Sequence, residues 1–121
     1  MSEKRVFQHL KKLYPKAHWQ RIETWAGAGV FDINGCYNGV EIWVEAKEIS
    51  WLKKTNTIKA KVRKAQKSWQ AMRERAGART FVGVMASTKL CILPGKYIAY
   101  LDHGLHCDHV QQYHLNSLFN V

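Results

Sequence analysis

Acidic residues are scarce in this chain, 9 Asp+Glu against 19 Lys+Arg, and the formal charge of +10 over 121 residues excludes a surface built to bind polycations. It favours a polyanionic partner: nucleic acid first, with an anionic membrane surface or an acidic protein behind it. Long apolar runs are missing as well. No stretch approaches the ~18 residues of a membrane span, and MSEKRVFQHLKKLYPK at the N-terminus is charged and amphipathic without the apolar centre of a signal peptide, so no membrane association and a cytoplasmic location are expected. Cysteine is sparse: Cys36, Cys91 and Cys107 are an odd number without C-x-x-C spacing, which excludes a disulfide framework and leaves reduced thiols. With only 2 prolines and 46% hydrophobic residues, the chain is not a disordered one. Its length suits one domain, residues 1 to 121, with a sizeable core.

What is present is unevenly placed. Ser2 can cap a first helix whose apolar stripe is Val6, Leu10, Leu13 and Tyr14, stopped near Pro15. HWQRIETW at 18 to 25 partly alternates and runs into the glycine-rich AGAG, a short strand before a turn. VFDING and VEIWVEAKE read as two antiparallel strands joined at Asn38-Gly39, a strong hairpin signal. On the second strand Glu41, Trp43, Glu45 and Lys47 share one face while Ile42, Val44 and Ala46 share the other, which is the core face. The segment KKTNTIKAKVRKAQK, 53 to 67, has seven Lys or Arg and no acid. From about residue 60 it reads as a helix with Val62, Ala65, Trp69, Met72 and Ala76 on one stripe and Gly77 as the stop. RTFVGVMAS is a nearly continuous apolar run, the mark of a central strand covered on both faces. KLCIL is a further strand, closed at Pro94-Gly95, and the tail beyond it has only weak patterning.

Five of the nine acids, Glu23, Asp32, Glu41, Glu45 and Glu48, fall between positions 23 and 48. On the elements just described, Asp32 sits on the first hairpin strand, and Glu45 and Lys47 share a face of the second. Two carboxylates converging at a hairpin edge can hold a hard cation such as Mg²⁺ or Mn²⁺, which keeps waters and substrate phosphate oxygens as its other ligands. Such an ion polarises a phosphoryl oxygen and acidifies a bound water, and Lys47 can orient that water or offset charge growing in the transition state. Glu41 shares the face but lies about 13 Å from Glu45, at the periphery. The basic run supplies phosphate contacts through Lys53, Lys54, Lys59, Lys61, Arg63, Lys64 and Lys67.

The residues Gly29-Val30-Phe31-Asp32 followed by Glu45-Ala46-Lys47 resemble the signature of the PD-(D/E)XK nuclease superfamily, and the order helix, three strands, helix, two strands resembles its αβββαβ core. Within it the chain is most similar to stand-alone VRR-NUC domains and related phage resolvases: RIE at 21 to 23, G-x-x-D, E-x-K, and a helix carrying Gln66 with Trp69 ahead of an apolar strand. The resemblance covers residues 17 to 95. It departs at Phe31, where the signature often has proline, and at Ala46, where a larger apolar residue is common. What it implies is an α/β, restriction-endonuclease-like fold with a mixed central sheet flanked by helices. It also implies Glu23 as an added metal-binding acid, and Gln66 reaching over the site to position Lys47 or a phosphate. The activity implied is Mg²⁺- or Mn²⁺-dependent cleavage of DNA, branched junctions above all, in a bacterial or phage-infected cell.

Each reading has a blander rival. Asp32 could be a surface carboxylate beside a turn, Glu45 and Lys47 a solvated ion pair worth under ~1 kcal/mol, and the basic run a solvated face of a non-catalytic binding module. A binding module, however, has no reason to set carboxylates beside a phosphate. Two symmetric cuts in a four-way junction call for a homodimer. The aromatic and apolar excess of Trp19, Trp25, Trp51, Tyr97, Tyr100, Tyr113, Leu118 and Phe119 offers either a dimer surface or closure of the core. His103, His106, Cys107, His109 and His114 fit no standard zinc spacing.

Overall fold

A computed structural model of the protein describes residues 2–22, 27–86, 88–109, 112 and 115–120. Helix α1 spans Ser2–Leu13. Strands β1 (His18–Arg21), β2 (Ile33–Tyr37) and β3 (Val40–Lys47) follow, then two short strands, β4 (Ser50–Leu52) and β5 (Thr57–Lys59). Helix α2 covers Lys64–Arg75, and β6 (Arg79–Ala86), β7 (Lys89–Pro94) and β8 (Leu105–His106) follow, with three 3₁₀ turns among the described residues. The principal sheet runs β1-β2-β3-β6-β7, with β3 and β6 parallel and the other pairs antiparallel. A parallel pair needs a crossover, and α2 is that crossover. Strands β4, β5 and β8 form a second, three-stranded sheet.

The turn chemistry behaves as its residues dictate. Asn38 (φ 52°) and Gly39 (φ 78°) both take left-handed conformations between Tyr37 and its partner Val40, as a two-residue hairpin turn requires. That turn sets the β2/β3 register, and the register decides what lies on each face. Ile33, Ile42, Val44, Ala46, Phe81 and Met85 cluster with Val6 and Leu10 of α1. The helix lies close there because a Cβ on Gly83 would stand 2.8 Å from Val6 Cγ1. Full burial of each such aliphatic or aromatic side chain stabilises by about 1.5–3 kcal/mol. Leu13, expected on the same stripe, is instead exposed in the last turn of α1.

The opposite face is also covered, so β3 has no solvated side at its centre. Val82, Val84, Leu93, Ile98 and Phe31 form a second cluster against which Trp43 and Trp69 pack. The central β6 is buried through both faces, as its nearly continuous apolar run predicts. Helix α2, however, begins at Lys64 rather than about 60, because Thr57-Ile58-Lys59 extends as β5 after a turn with Asn56 at φ 51°. Its inward side differs too. Met72 is exposed, and the residues that turn in are Gln66 and Gln70. Gln70 Nε2 donates to Thr80 Oγ1 at 3.0 Å and to Glu74 Oε2 at 2.9 Å, so this helix meets the sheet partly through amides.

The aromatic excess mostly closes the core. Leu118 and Phe119 are buried, and Phe119 packs edge-on against Tyr14, Trp19 and Tyr37. Tyr97 is half-buried against the second cluster. Of the aromatic and apolar residues suggested for a dimer surface, Trp51 and Tyr100 are exposed, while Trp25 and Tyr113 lie outside the described residues. The three cysteines are free thiols. Among the described residues no helix is long and apolar enough to cross a membrane.

Candidate active site

The hairpin register does the first part of the positioning. Ile33 pairs with Val44, so one step further along the strands Asp32 comes opposite Glu45. Asp32 is not in the strand, as expected from sequence, but in the bend that leads into it. Its N–H donates to Glu45 Oε1 at 3.2 Å, and the Ala46 N–H donates to Asp32 Oδ1 at 3.1 Å. Each carboxylate is therefore oriented by the main chain beside the other. The Ile22 N–H donates to the Asp32 carbonyl at 2.8 Å, which ties this bend to the end of β1.

Lys47 follows Glu45 on the same face of β3. Its ammonium donates to the Lys61 carbonyl at 2.9 Å and to Gln66 Oε1 at 2.8 Å, and lies 3.6 Å from Glu45 Oε2. Gln66 closes the ring: its Nε2 donates to Glu45 Oε2 at 2.7 Å, while Oε1 also accepts the Arg63 N–H at 3.1 Å. The last bond satisfies an orphan donor at the start of α2. A single planar amide thus meets a carboxylate with its donor side and an ammonium with its acceptor side, which neither a carboxylate nor an amine could do. Glu45 is 5% exposed and Gln66 4%. A carboxylate buried that deeply costs several kcal/mol unless charge and hydrogen bonds offset it, and here Lys47, Gln66 and a main-chain N–H surround it.

Gly29 brings the two halves of the site together. It has φ +85°, and a Cβ built on it would stand 2.2 Å from the Ala65 carbonyl oxygen. Only glycine lets the loop carrying Asp32 lie directly on the first turn of the helix carrying Gln66. Phe31 anchors that loop, fully buried with its ring 4.8 Å from that of Trp69. Phenylalanine in this place leaves the carboxylates where they are and fills the space under α2.

These groups open onto a groove of about 920 Å³ lined by Asp32, Glu45, Lys47, Lys59, Lys61 and Arg63, among others. Glu45 is buried within it, and Lys59, Lys61 and Arg63 are exposed along it beside one exposed acid, Glu48. Lys53 and Lys54 are exposed on the turn between β4 and β5, and Lys64 is exposed at the start of α2. Lys67 differs from the rest, since its ammonium is held by both oxygens of Asp102 at 2.9 and 2.8 Å. That hydrogen-bonded ammonium, with a smaller contribution from His103, holds the Asp102 carboxyl below its ordinary value. Glu41 is exposed opposite Cys36, four residues from Glu45. Glu23 lies outside the described residues.

Among the described residues no three His, Cys, Asp or Glu side chains gather closely enough to hold a metal ion by themselves. The pair that does converge, Asp32 and Glu45, offers only hard oxygen donors. That set fits Mg²⁺ or Mn²⁺, which need few protein carboxylates when phosphate oxygens and waters fill the remaining positions. In the tail, His103 is exposed and His106 and Cys107 are half-exposed without converging, while the His109 side chain and His114 lie outside the described residues. Two participants were not legible in the sequence, the Lys61 carbonyl and the tight approach of Gly29, and neither was the Gln70–Thr80 contact that seats α2 on the sheet. The one signal for Gln70 is its spacing of four from Gln66, which sets both amides on one helical face.

A mixed five-stranded sheet, with α1 on one face and the crossover α2 on the other and two carboxylates and a lysine where β2 and β3 meet, defines a restriction-endonuclease-like α/β fold. Among solved structures the chain is similar to Hjc, a Holliday junction resolvase from the archaeal hyperthermophile Archaeoglobus fulgidus. The TM-score is 0.55 at 15% identity, over 76% of this chain and 72% of that one. At that identity the likeness establishes the fold. No protein-family profile matches the sequence, and no curated protein matches it significantly.

Proposed function

We propose that the chain is a single nuclease domain, residues 1 to 121, of the PD-(D/E)XK type and VRR-NUC-like. In this reading it hydrolyses phosphodiester bonds in DNA with Mg²⁺ or Mn²⁺ and resolves four-way junctions as a homodimer. The observation that carries the proposal is the ring of Asp32, Glu45, Lys47 and Gln66 in a groove also lined by Lys59, Lys61 and Arg63. Asp32 and Glu45 would hold the cation, with Glu23 as a further candidate, and the cation would supply polarisation of the scissile phosphoryl oxygen and an acidified water. Lys47, fixed by Gln66 and the Lys61 carbonyl, presents positive charge beside the carboxylates, where it can orient the nucleophile and offset charge developing on phosphate oxygens. Lys59, Lys61 and Arg63 on the groove wall, with Lys53, Lys54 and Lys64 nearby, hold the backbone without reading bases. The similarity to a junction resolvase favours branched DNA over plain duplex as the substrate.

The test is incubation of the pure protein with linear, flapped and four-way DNA, with and without Mg²⁺ or Mn²⁺, beside light scattering at micromolar concentration. Paired symmetric incision of the junction by a species near twice 14.0 kDa is expected. Cutting of linear duplex as readily as junctions, by a monomer, would replace the resolvase with a less selective DNA endonuclease. No metal-dependent cutting of any DNA would leave a nucleic-acid-binding module.

A further inference from the structure

The hairpin of β4 and β5 has no part in the carboxylate site, yet it forms one wall of the groove through Ser50 and Lys59. Its β5 strand is anchored: Ile58 is buried in the second cluster and pairs with Leu105 of β8, and the Cys107 N–H donates to the Asn56 carbonyl at 2.8 Å. Its β4 strand is the sheet edge, and there the polarity of the surface changes. Trp51 is 56% exposed and Leu52 53% exposed, on opposite faces of the edge strand. A solvent-facing tryptophan on a strand edge gains nothing from burial, but this one is held in place. Its Nε1 donates to Asn56 Oδ1 at 3.2 Å, and Lys53 Nζ lies 5.7 Å from its ring centroid. Lys54, Lys59 and Lys61 belong to the same segment, and no carboxylate side chain occurs anywhere from residue 49 to residue 73.

The geometry points to Trp51 as a stacking platform for a DNA base whose face is exposed at a break in the duplex, with Lys53 and its neighbours holding the adjoining phosphates. This rests on the nuclease reading and adds to it a way of recognising branched DNA. Inside a continuous duplex every base face is covered by its neighbours, so an aromatic ring has nothing to stack on. At a branch point base faces become available, and base–aromatic stacking contributes there irrespective of sequence. The charge selects DNA as the occupant, since the six cations of residues 53 to 64, in a segment without an acid, disfavour a second copy of this basic chain on the same surface.

The experiment compares wild type, Trp51→Ala and Trp51→Phe in excess EDTA, so that binding is read without cleavage, on a four-way junction and on a covalently closed circular duplex at one salt concentration. Trp51→Ala should weaken junction binding about tenfold, the scale of a single base–aromatic stack, and leave duplex binding unchanged. Trp51→Phe should restore most of the affinity. A 2-aminopurine placed at the branch point should be quenched by wild type and by Trp51→Phe but not by Trp51→Ala. Equal weakening on both DNAs, no weakening on either, or a change in oligomeric state on Trp51→Ala would overturn the assignment, the last by showing that the ring serves a protein interface. These outcomes are separate from the nuclease reading, which fails only if wild type with metal cuts no DNA.

Discussion

Gln66 Nε2 lies 2.7 Å from Glu45 Oε2, across the gap between the crossover helix and the central sheet, and Oε1 of the same amide accepts a hydrogen bond from the Lys47 ammonium at 2.8 Å. The amide orientation follows from its neighbours, because Oε1 faces two donors and Nε2 faces an acceptor. This one side chain joins α2 to Glu45 and Lys47 of β3, so helix placement and site geometry are coupled.

Replacing Gln66 by alanine should therefore cost stability and activity together. Leaving a buried carboxylate and its lysine each short of a partner is worth about 1–3 kcal/mol, readable as a lowered urea midpoint. Gln66→Glu should instead place like charge against Glu45 and move the acid limb of any cleavage pH profile upward. An unchanged profile in Gln66→Glu would separate Gln66 from the chemistry.

Asp32→Asn, Glu45→Gln and Lys47→Met should each lower cleavage by orders of magnitude. DNA affinity should persist and rise for the two carboxylate variants, whose repulsion of phosphate is removed. Excess EDTA should abolish cleavage in wild type while sparing binding. Activity in EDTA, or full activity of Glu45→Gln, would reject the metal-assisted reading.

Gly29→Ala is expected to be disproportionately harmful, because the added Cβ meets the Ala65 carbonyl at 2.2 Å as well as an unfavourable φ of +85°. Gly39→Ala is the control. It has φ +78° with nothing within 4 Å, so it incurs only backbone strain of about 1 kcal/mol. Thermal unfolding and cleavage measured side by side should show Gly29→Ala impaired clearly more in both; equal impairment would mean that the loop and α2 are not in register as described.

Neutralising Lys59, Lys61 and Arg63 together should weaken DNA binding and flatten the log–log salt dependence by about one unit for each phosphate no longer held. Lys67→Gln should change that slope little, since its ammonium is already matched by Asp102. A slope unchanged by the triple variant would make the basic segment an ordinary solvated face.

The Lys67–Asp102 pair predicts a signature in acid. Asp102 titrates lower in the folded chain than in the unfolded one, so its contribution to stability is fully present above the ordinary carboxylate value and disappears as pH falls through the folded value. Urea midpoints of wild type and Asp102→Asn should differ at neutral pH and converge below about pH 4. A gap that stays constant with pH would show that the ion pair contributes nothing.

Much of this arrangement was written locally. Asn38-Gly39 specifies a tight hairpin, alternation along Val40–Lys47 assigns Glu45 and Lys47 to one face, and the nearly continuous apolar run within Arg79–Ala86 marks a strand with no wet side. Side-chain period and turn stereochemistry are properties of a few adjacent residues, which is why the fold class and the Asp32, Glu45, Lys47 set are legible in the chain itself. The start of α2 is not legible that way. Charge hides periodicity in KKTNTIKAKVRKAQK, and β5 exists because Ile58 finds a buried place and β8 a pairing edge far along the chain. The same holds for Gln70, and for Gln66 apart from the family resemblance, which implied its reach over the site. By composition they belong on a solvated helix face, and they turn inward only because the sheet presents Glu45 and Thr80 to them. Whether an amide is surface or hub depends on what lies across from it, and only the packing of distant elements decides that.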